Sequence, residues 1–125
     1  MAELMLDLAA HPEVAFEEHR SARALAQSLA AHGIDAQVGA YGLNTAIRAE
    51  IRGAGAESDD APTLAILAEY DALPGVGHGC GHNVIAVMGL GAFLALAALA
   101  EEDPSAVPGR IVFLEIGRAS CRERV

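Results

Sequence analysis

The chain has 125 residues, of which 53% are hydrophobic, and its 17 acidic and 8 basic residues give a formal net charge of −9. This length allows at most one small domain, and the apolar fraction excludes intrinsic disorder. The acidic balance argues against binding to nucleic acid or to an anionic membrane surface, since both require a basic face.

The N-terminal third of the chain predicts two helices. Apolar residues recur at helical spacing in residues 2–10, before Pro12 interrupts the pattern. This segment lacks the basic start of a signal peptide, so the sequence favours a cytoplasmic protein. A second helix is predicted over about residues 17–32, with Gly33 as its C-terminal cap. Its inner face consists of Ala22, Leu25, Ala26 and Leu29.

Three strands are predicted next. Residues 34–40 alternate as a half-buried strand does, and residues 45–52 alternate between apolar and charged side chains. The second pattern indicates a strand with one wet face, antiparallel to its neighbour. After a polar loop, residues 63–68 form a short apolar run that predicts a strand buried on both faces.

A long apolar helix and a final strand complete the pattern. Residues 84–100 carry no charge over 17 positions, which is the short limit for crossing a bilayer. Because the run is rich in alanine and follows a polar loop, we interpret it as a buried core helix. Residues 110–114 begin another buried strand. The order of elements predicts an α/β layered sheet whose final strands are missing.

The last eleven residues, 115–125, differ in character from the rest of the chain. They read EIGRASCRERV, without apolar periodicity, and they match the translation of a common sequencing adapter. We therefore expect residues 1–114 to be the native part. The segment contains Cys121, the second cysteine beside Cys80, and nothing in the two contexts indicates a disulfide.

The informative stretch is the loop of residues 69–83. Glycines alternate with His78, Cys80 and His82, and two carboxylates, Glu69 and Asp71, precede them at the end of a predicted strand. Thiolate and imidazole are suitable ligands for zinc, and the carboxylates could bind the same ion or hold an imidazole in one tautomer. The sequence alone also allows the alternative that this loop is a glycine-rich turn with an inert cysteine.

Two other functions of this loop are disfavoured by its chemistry. A phosphate-binding loop is disfavoured because the glycines of this loop do not have the G-x-G-x-x-G spacing and the surrounding charge is negative. A thiol hydrolase would use Cys80 as nucleophile and His78 or His82 as base. Such a nucleophile needs electropositive surroundings, and Glu69 and Asp71 supply the opposite charge.

Several motifs, in order, resemble the metallo-aminoacylase/carboxypeptidase superfamily, in its amidohydrolase branch. The H-P-E and F-E-E segments at residues 11–18 are similar to the family's N-terminal motif, and L-N-T-A at residues 43–46 is similar to its G-x-x-T-A. E-Y-D-A-L-P at residues 69–74 and H-G-C-G-H-N at residues 78–83 resemble its D-x-D-A-L-P and H-A-C-G-H-D/N. The form is closest to aminoacylase-like dipeptidases and aminobenzoyl-glutamate hydrolases.

This resemblance implies a two-metal hydrolase that cleaves the amide bond of an N-acyl amino acid or dipeptide through metal-activated water. Cys80 and His82 match family ligands of the two divalent ions, which would be Zn or Mn. Asp71 matches the acidic catalytic residue placed behind the metal site. Glu69 receives no ligand role, and His78 lies near the site without matching a ligand.

The resemblance also implies an incomplete protein. Residues 1–114 correspond to the N-terminal part of a zinc-peptidase-like α/β/α catalytic domain, whose general-base Glu, further ligands and dimerisation domain lie beyond the strand at residues 110–114. We expect the chain itself to be inactive and to bind metal weakly through two ligands. The parent protein is expected to be a homo-oligomer acting on a small molecule. The alternative is a non-catalytic fold remnant or interaction module.

Overall fold

The computed structural model describes residues 1–117 and contains three helices and four strands in the predicted order. Residues 118–125, including Cys121, lie outside the described part. The helices are α1 (Ala2–Ala10), α2 (His19–Ala31) and α3 (His82–Glu102). The strands are β1 (Ala36–Val38), β2 (Ile47–Arg52), β3 (Thr63–Glu69) and β4 (Arg110–Ile116). The predicted α/β class is confirmed.

The four strands form one mixed sheet in the order β1-β2-β4-β3. β2 is antiparallel to both β1 and β4, as its alternating pattern predicts. β3 and β4 are parallel and are joined by α3. This β3-α3-β4 unit places the carboxyl ends of β3 and β4 at the same edge of the sheet.

One face of the sheet carries the hydrophobic core. Ile47 and Ala49 of β2 and Phe113 of β4 are buried beneath the helices. Gly89 allows α3 to approach closely, because a Cβ at this position would lie 2.9 Å from the Ala68 Cβ. The Phe113 ring stacks on Phe93 of α3, with ring centroids 5.6 Å apart. The predicted core helix thus packs on the sheet along one side.

The prediction that residues 63–68 are buried on both faces is wrong for the described part of the chain. Leu64 and Leu67 of β3 are 60% and 64% exposed. The physical reason is that β3 is an edge strand of the described sheet. Leu64 and Leu67 point to opposite faces, and neither face is covered at their positions. Met88 on the neighbouring helix α3 is 67% exposed. We call Leu64, Leu67 and Met88 the apolar flank.

Within residues 1–117, α3 is also the one helix that is long and apolar enough to cross a membrane. Its 21 residues have a mean hydropathy of 2.2 over the most apolar window, of which a third is buried. The buried positions include Ala86, Leu90 and Phe93, which face the sheet.

Both ends of α2 are closed by specific contacts. At its start the Glu13 carboxylate accepts hydrogen bonds from the backbone N–H groups of Arg20 and Ser21, at 2.9 and 2.7 Å, and from the Ser21 hydroxyl at 2.6 Å. At its end Gly33 has φ +74°, and the Ile34 N–H donates to the Leu29 carbonyl at 3.0 Å. This is the glycine cap that the sequence predicts.

Replacing Glu13 by Ala is expected to lower the free energy of unfolding by about 1–2 kcal/mol, because two N–H groups and a hydroxyl lose their acceptor. Urea unfolding followed by circular dichroism measures the change. Glu17, whose side chain is 71% exposed, supplies the matched control Glu17→Ala. Equal losses in the two variants would contradict a capping role for Glu13.

Candidate metal centre

The loop between β3 and α3 lies at the carboxyl edge of the parallel strands. Ligands bind at this edge in open α/β sheets. Glu69 is the last residue of β3 and His82 is the first residue of α3. Gly81, with φ +77°, turns the chain directly into the helix. The connection of residues 70–81 therefore leaves the strand and returns to the same edge, where the strand end and the helix start lie close together.

The segment that follows β3 is fixed from the N-terminal side of the chain. The Ala72 N–H donates to the Glu13 carbonyl at 2.7 Å. The fully buried Tyr70 hydroxyl donates to the Thr45 carbonyl, and the Thr45 hydroxyl donates to the Glu18 carboxylate at 2.7 Å. Residues from three of the family-like motifs thus form one network. Its effect is to hold the backbone on both sides of Asp71.

Three side chains converge at this edge. Glu69, Asp71 and His82 each offer a ligand atom, and these atoms lie within 4.8 Å of one another. All three residues are at least nine-tenths buried. A buried imidazole with two carboxylates is a donor set that fits zinc or manganese.

The His82 ring is oriented by Asp71. His82 Nδ1 lies 2.9 Å from the Asp71 carboxylate and 2.9 Å from the Asp71 carbonyl oxygen. Both groups accept hydrogen bonds, so they favour the tautomer with the proton on Nδ1. The other nitrogen, Nε2, lies 4.0 Å from the Glu69 carboxylate. This is the arrangement in which a carboxylate supports a metal-binding histidine.

Cys80 takes a different position from the other two predicted site residues. The structure brings Asp71 and His82 together, whereas Cys80 is exposed on the turn before α3. Within residues 1–117 the converging group does not include the Cys80 thiol. Its role as a ligand stays a prediction.

His78 lies beside the cluster. Among the described residues neither ring nitrogen has a hydrogen-bonding partner at bonding distance. Burial lowers the pKa of His78, and neighbouring His82 lowers it further, while the Leu8 backbone and Asp71 act in the opposite direction. The ring is therefore neutral at pH 7.

The surroundings of the cluster are strongly acidic. Burial raises the pKa of Glu18, and the charge of Asp71 acts in the same direction against the hydrogen bonds that Glu18 accepts. Burial raises the pKa of Glu115 well above its ordinary value, and Glu69 and Glu18 raise it further. Four carboxylates thus raise one another's free energy in a small volume, which a bound divalent cation would relieve.

The sequence motifs assign no role to Glu69, although the alternation of side chains at the end of β3 indicates that Glu69 faces the site. Side chains alternate along a strand, so Glu69 and Asp71 point to one side while Tyr70 points to the other. The buried Tyr70 therefore indicates that both carboxylates face the strand-end site. The roles of Glu18 and Thr45 as supports had no such signal, since their contacts join distant segments.

Among curated proteins the chain is similar to two hydrolases. It is 40% identical over 109 residues to Xaa-Arg dipeptidase of Mus musculus, covering 82% of this chain and 25% of that protein. It is 32% identical over 109 residues to a p-aminobenzoyl-glutamate hydrolase of Escherichia coli, covering 74% of this chain and 21% of that protein. The chain therefore spans about a quarter of the length of these relatives. No family model matches it.

Among solved structures the chain resembles the Bacillus subtilis YXEP protein, described as a dinuclear metal binding peptidase from the M20 family. The TM-score is 0.76 with 26% identity, and the match covers 91% of this chain and 33% of that protein. Homology to metal-dependent hydrolases and the fold expected from the sequence motifs are thereby confirmed. The match covers a minor part of each comparison protein.

Proposed function

We propose, from the likeness of this chain to dinuclear metal peptidases of the M20 family, that it is the metal-binding part of a longer amidohydrolase. The whole protein would hydrolyse the amide bond of an N-acyl amino acid or a dipeptide. The observation that carries this proposal is the buried group of Glu69, Asp71 and His82 at the carboxyl end of β3. We propose a site for two divalent ions, Zn or Mn, with Cys80 and His82 among their ligands.

The residues of this chain would bind and orient rather than transfer protons. When bound, the metal ions lower the pKa of a water molecule and polarise the scissile carbonyl. Asp71 would hold the His82 ring through Nδ1, so that Nε2 is the nitrogen with which His82 would bind an ion. The network from Tyr70 through Thr45 to Glu18 holds the strand end in place.

The substrate class follows from chemistry shared by the relatives. A dipeptidase and an aminobenzoyl-glutamate hydrolase are both named for substrates in which an acyl group is joined to an amino acid through an amide bond. We propose a small substrate of this kind and a homo-oligomeric parent. Assays of the whole protein over a series of acyl groups and amino acids would identify the preferred substrate.

Hydrolysis is expected only from the longer protein, because the resemblance places the general-base Glu beyond β4. The 125-residue chain should therefore not hydrolyse acetylated amino acids or dipeptides with Mn or Zn present. A chain extended by the downstream coding sequence of its gene should hydrolyse them, and a chelator should abolish this activity. Full activity of Cys80→Ala in the extended protein, or resistance to the chelator, would count against the proposal.

We also propose that the native part of this chain ends near Leu114 and that the residues after it do not belong to the longer protein. Glu115 supports this proposal because it is fully buried, and neither carboxylate oxygen has a hydrogen-bonding partner among the described residues. Its neighbours on the same face of β4, Ile111 and Phe113, are apolar core residues. Sequencing of the source DNA past Leu114 tests the boundary. A sharp thermal transition of residues 1–114 alone would instead favour an independent interaction module.

A further inference from the structure

The two ring nitrogens of His82 lie near different carboxylates. Nδ1 is engaged by the Asp71 carboxylate and carbonyl, each at 2.9 Å. Nε2 therefore is the atom with which His82 would bind an ion. The position of that ion is limited to the side of the ring on which Nε2 lies.

Glu69 lies on that side. Its carboxylate oxygen is 4.0 Å from His82 Nε2, and the residue is buried. Zinc lies about 2.1 Å from both imidazole nitrogens and carboxylate oxygens, so two ligands of one tetrahedral ion lie about 3.4 Å apart. A small rotation of the Glu69 side chain would bring the two atoms to this separation, with β3 and α3 in their present positions.

The charge around Glu69 points to a cation as well. The carboxylates of Glu69 and Asp71 each offer an oxygen, and these atoms lie within 4.8 Å of each other in a buried region. Several negative charges in one buried region are strongly disfavoured, and a divalent ion compensates two of them. The region thus favours a cation at the position where Glu69 and His82 meet.

We propose that Glu69 is a direct ligand of the divalent ion that His82 binds, in addition to the ligands that the family resemblance supplies. This inference rests on the proposed function, because the ion is the one proposed there. With Cys80 and His82, Glu69 would bring to three the number of ligands that this chain supplies to the two ions.

The test is titration of the purified 125-residue chain with Co²⁺ under reducing conditions. Absorbance reports both affinity and ligand type, since thiolate ligands produce a charge-transfer band in the near ultraviolet and the visible bands report coordination geometry. Glu69→Gln is expected to weaken Co²⁺ binding at least about tenfold and to change the visible bands. The thiolate band, where present in the wild type, should persist at saturation.

Two further variants separate coordination from charge and from folding. Glu57→Gln removes one acidic charge from an exposed side chain outside the candidate metal site. It should bind Co²⁺ nearly as tightly as the wild type does. Glu69→Asp keeps the charge but shortens the side chain, and it should bind with intermediate affinity. Thermal unfolding of each variant identifies any loss of fold.

The possible results distinguish a failure of the proposed metal site from a failure of the ligand role of Glu69. Absence of Co²⁺ binding by the wild type would overturn both the proposed metal site and this inference. Equal affinity of wild type and Glu69→Gln, or equal weakening in Glu69→Gln and Glu57→Gln, would overturn the ligand role of Glu69 alone and leave the proposed function standing. A loss confined to the Glu69 variants, with the fold retained, would support direct coordination.

Discussion

Replacing Asp71 by Asn is expected to weaken the binding of Zn²⁺ or Mn²⁺ to the chain by about 10- to 100-fold. The carboxylate lies 2.9 Å from His82 Nδ1 and makes the ring a stronger ligand by placing a negative charge behind it. Asparagine has the same size and can still accept the hydrogen bond, so the substitution isolates the charge. Isothermal titration calorimetry measures the change in affinity.

The backbone of Asp71 also contacts the His82 ring. Its carbonyl oxygen also lies 2.9 Å from His82 Nδ1 and is unaffected by the substitution. Unchanged affinity in Asp71→Asn would therefore show that the negative charge of Asp71 does not contribute to metal binding. Asp60→Asn, on an exposed loop of the chain, is the matched control for the loss of one acidic charge.

Replacing Glu115 by Leu is expected to stabilise the chain by about 1–3 kcal/mol at pH 7. Glu115 is fully buried without a hydrogen-bonding partner for its carboxylate among residues 1–117, and it lies on the core face of β4. Leucine has a similar volume and no polar group to desolvate. Chemical denaturation of the two chains measures the difference, and Glu101→Leu at an exposed position is the control. A destabilised Glu115→Leu variant would contradict the expectation.

The stabilisation should depend on pH with a defined sign. Burial raises the pKa of Glu115 well above its ordinary value of 4.5. A group with a raised pKa in the folded state supports folding below its unfolded pKa and loses that support as pH rises through the folded value. The advantage of Glu115→Leu should therefore be small at pH 4 and larger at pH 7. An advantage that does not change with pH would show that ionisation of Glu115 contributes nothing to the difference in stability.

The order of the elements could be predicted because each has a local signal. Alternation in residues 45–52 identified β2 and its antiparallel pairing, and Gly33 identified the end of α2. The burial of β3 was predicted wrongly because an apolar run indicates which residues avoid water, not which neighbours are present to cover them. Whether a strand lies at the edge or in the centre of a sheet depends on all the strands of that sheet.

Part of the candidate site could also be predicted, because two of its residues have a local signal in the sequence. The spacing of Asp71 and His82 in one loop marks them as candidates, and the structure places them in contact. Glu69 required knowledge of which way the strand end faces. The supports of the site, Thr45 and Glu18, come from segments 24 or more positions before Glu69, and their contacts arise only when the sheet and α2 are packed together.

The apolar flank affects the tendency of the chain to associate with other copies of itself. β3 offers unpaired backbone groups at the sheet edge beside Leu64, Leu67 and Met88. An uncharged edge of this kind accepts further strands from any source, including other copies. The fraction of the 125-residue chain that precipitates should therefore rise with protein concentration, and an added lysine in the middle of β3 should reduce precipitation.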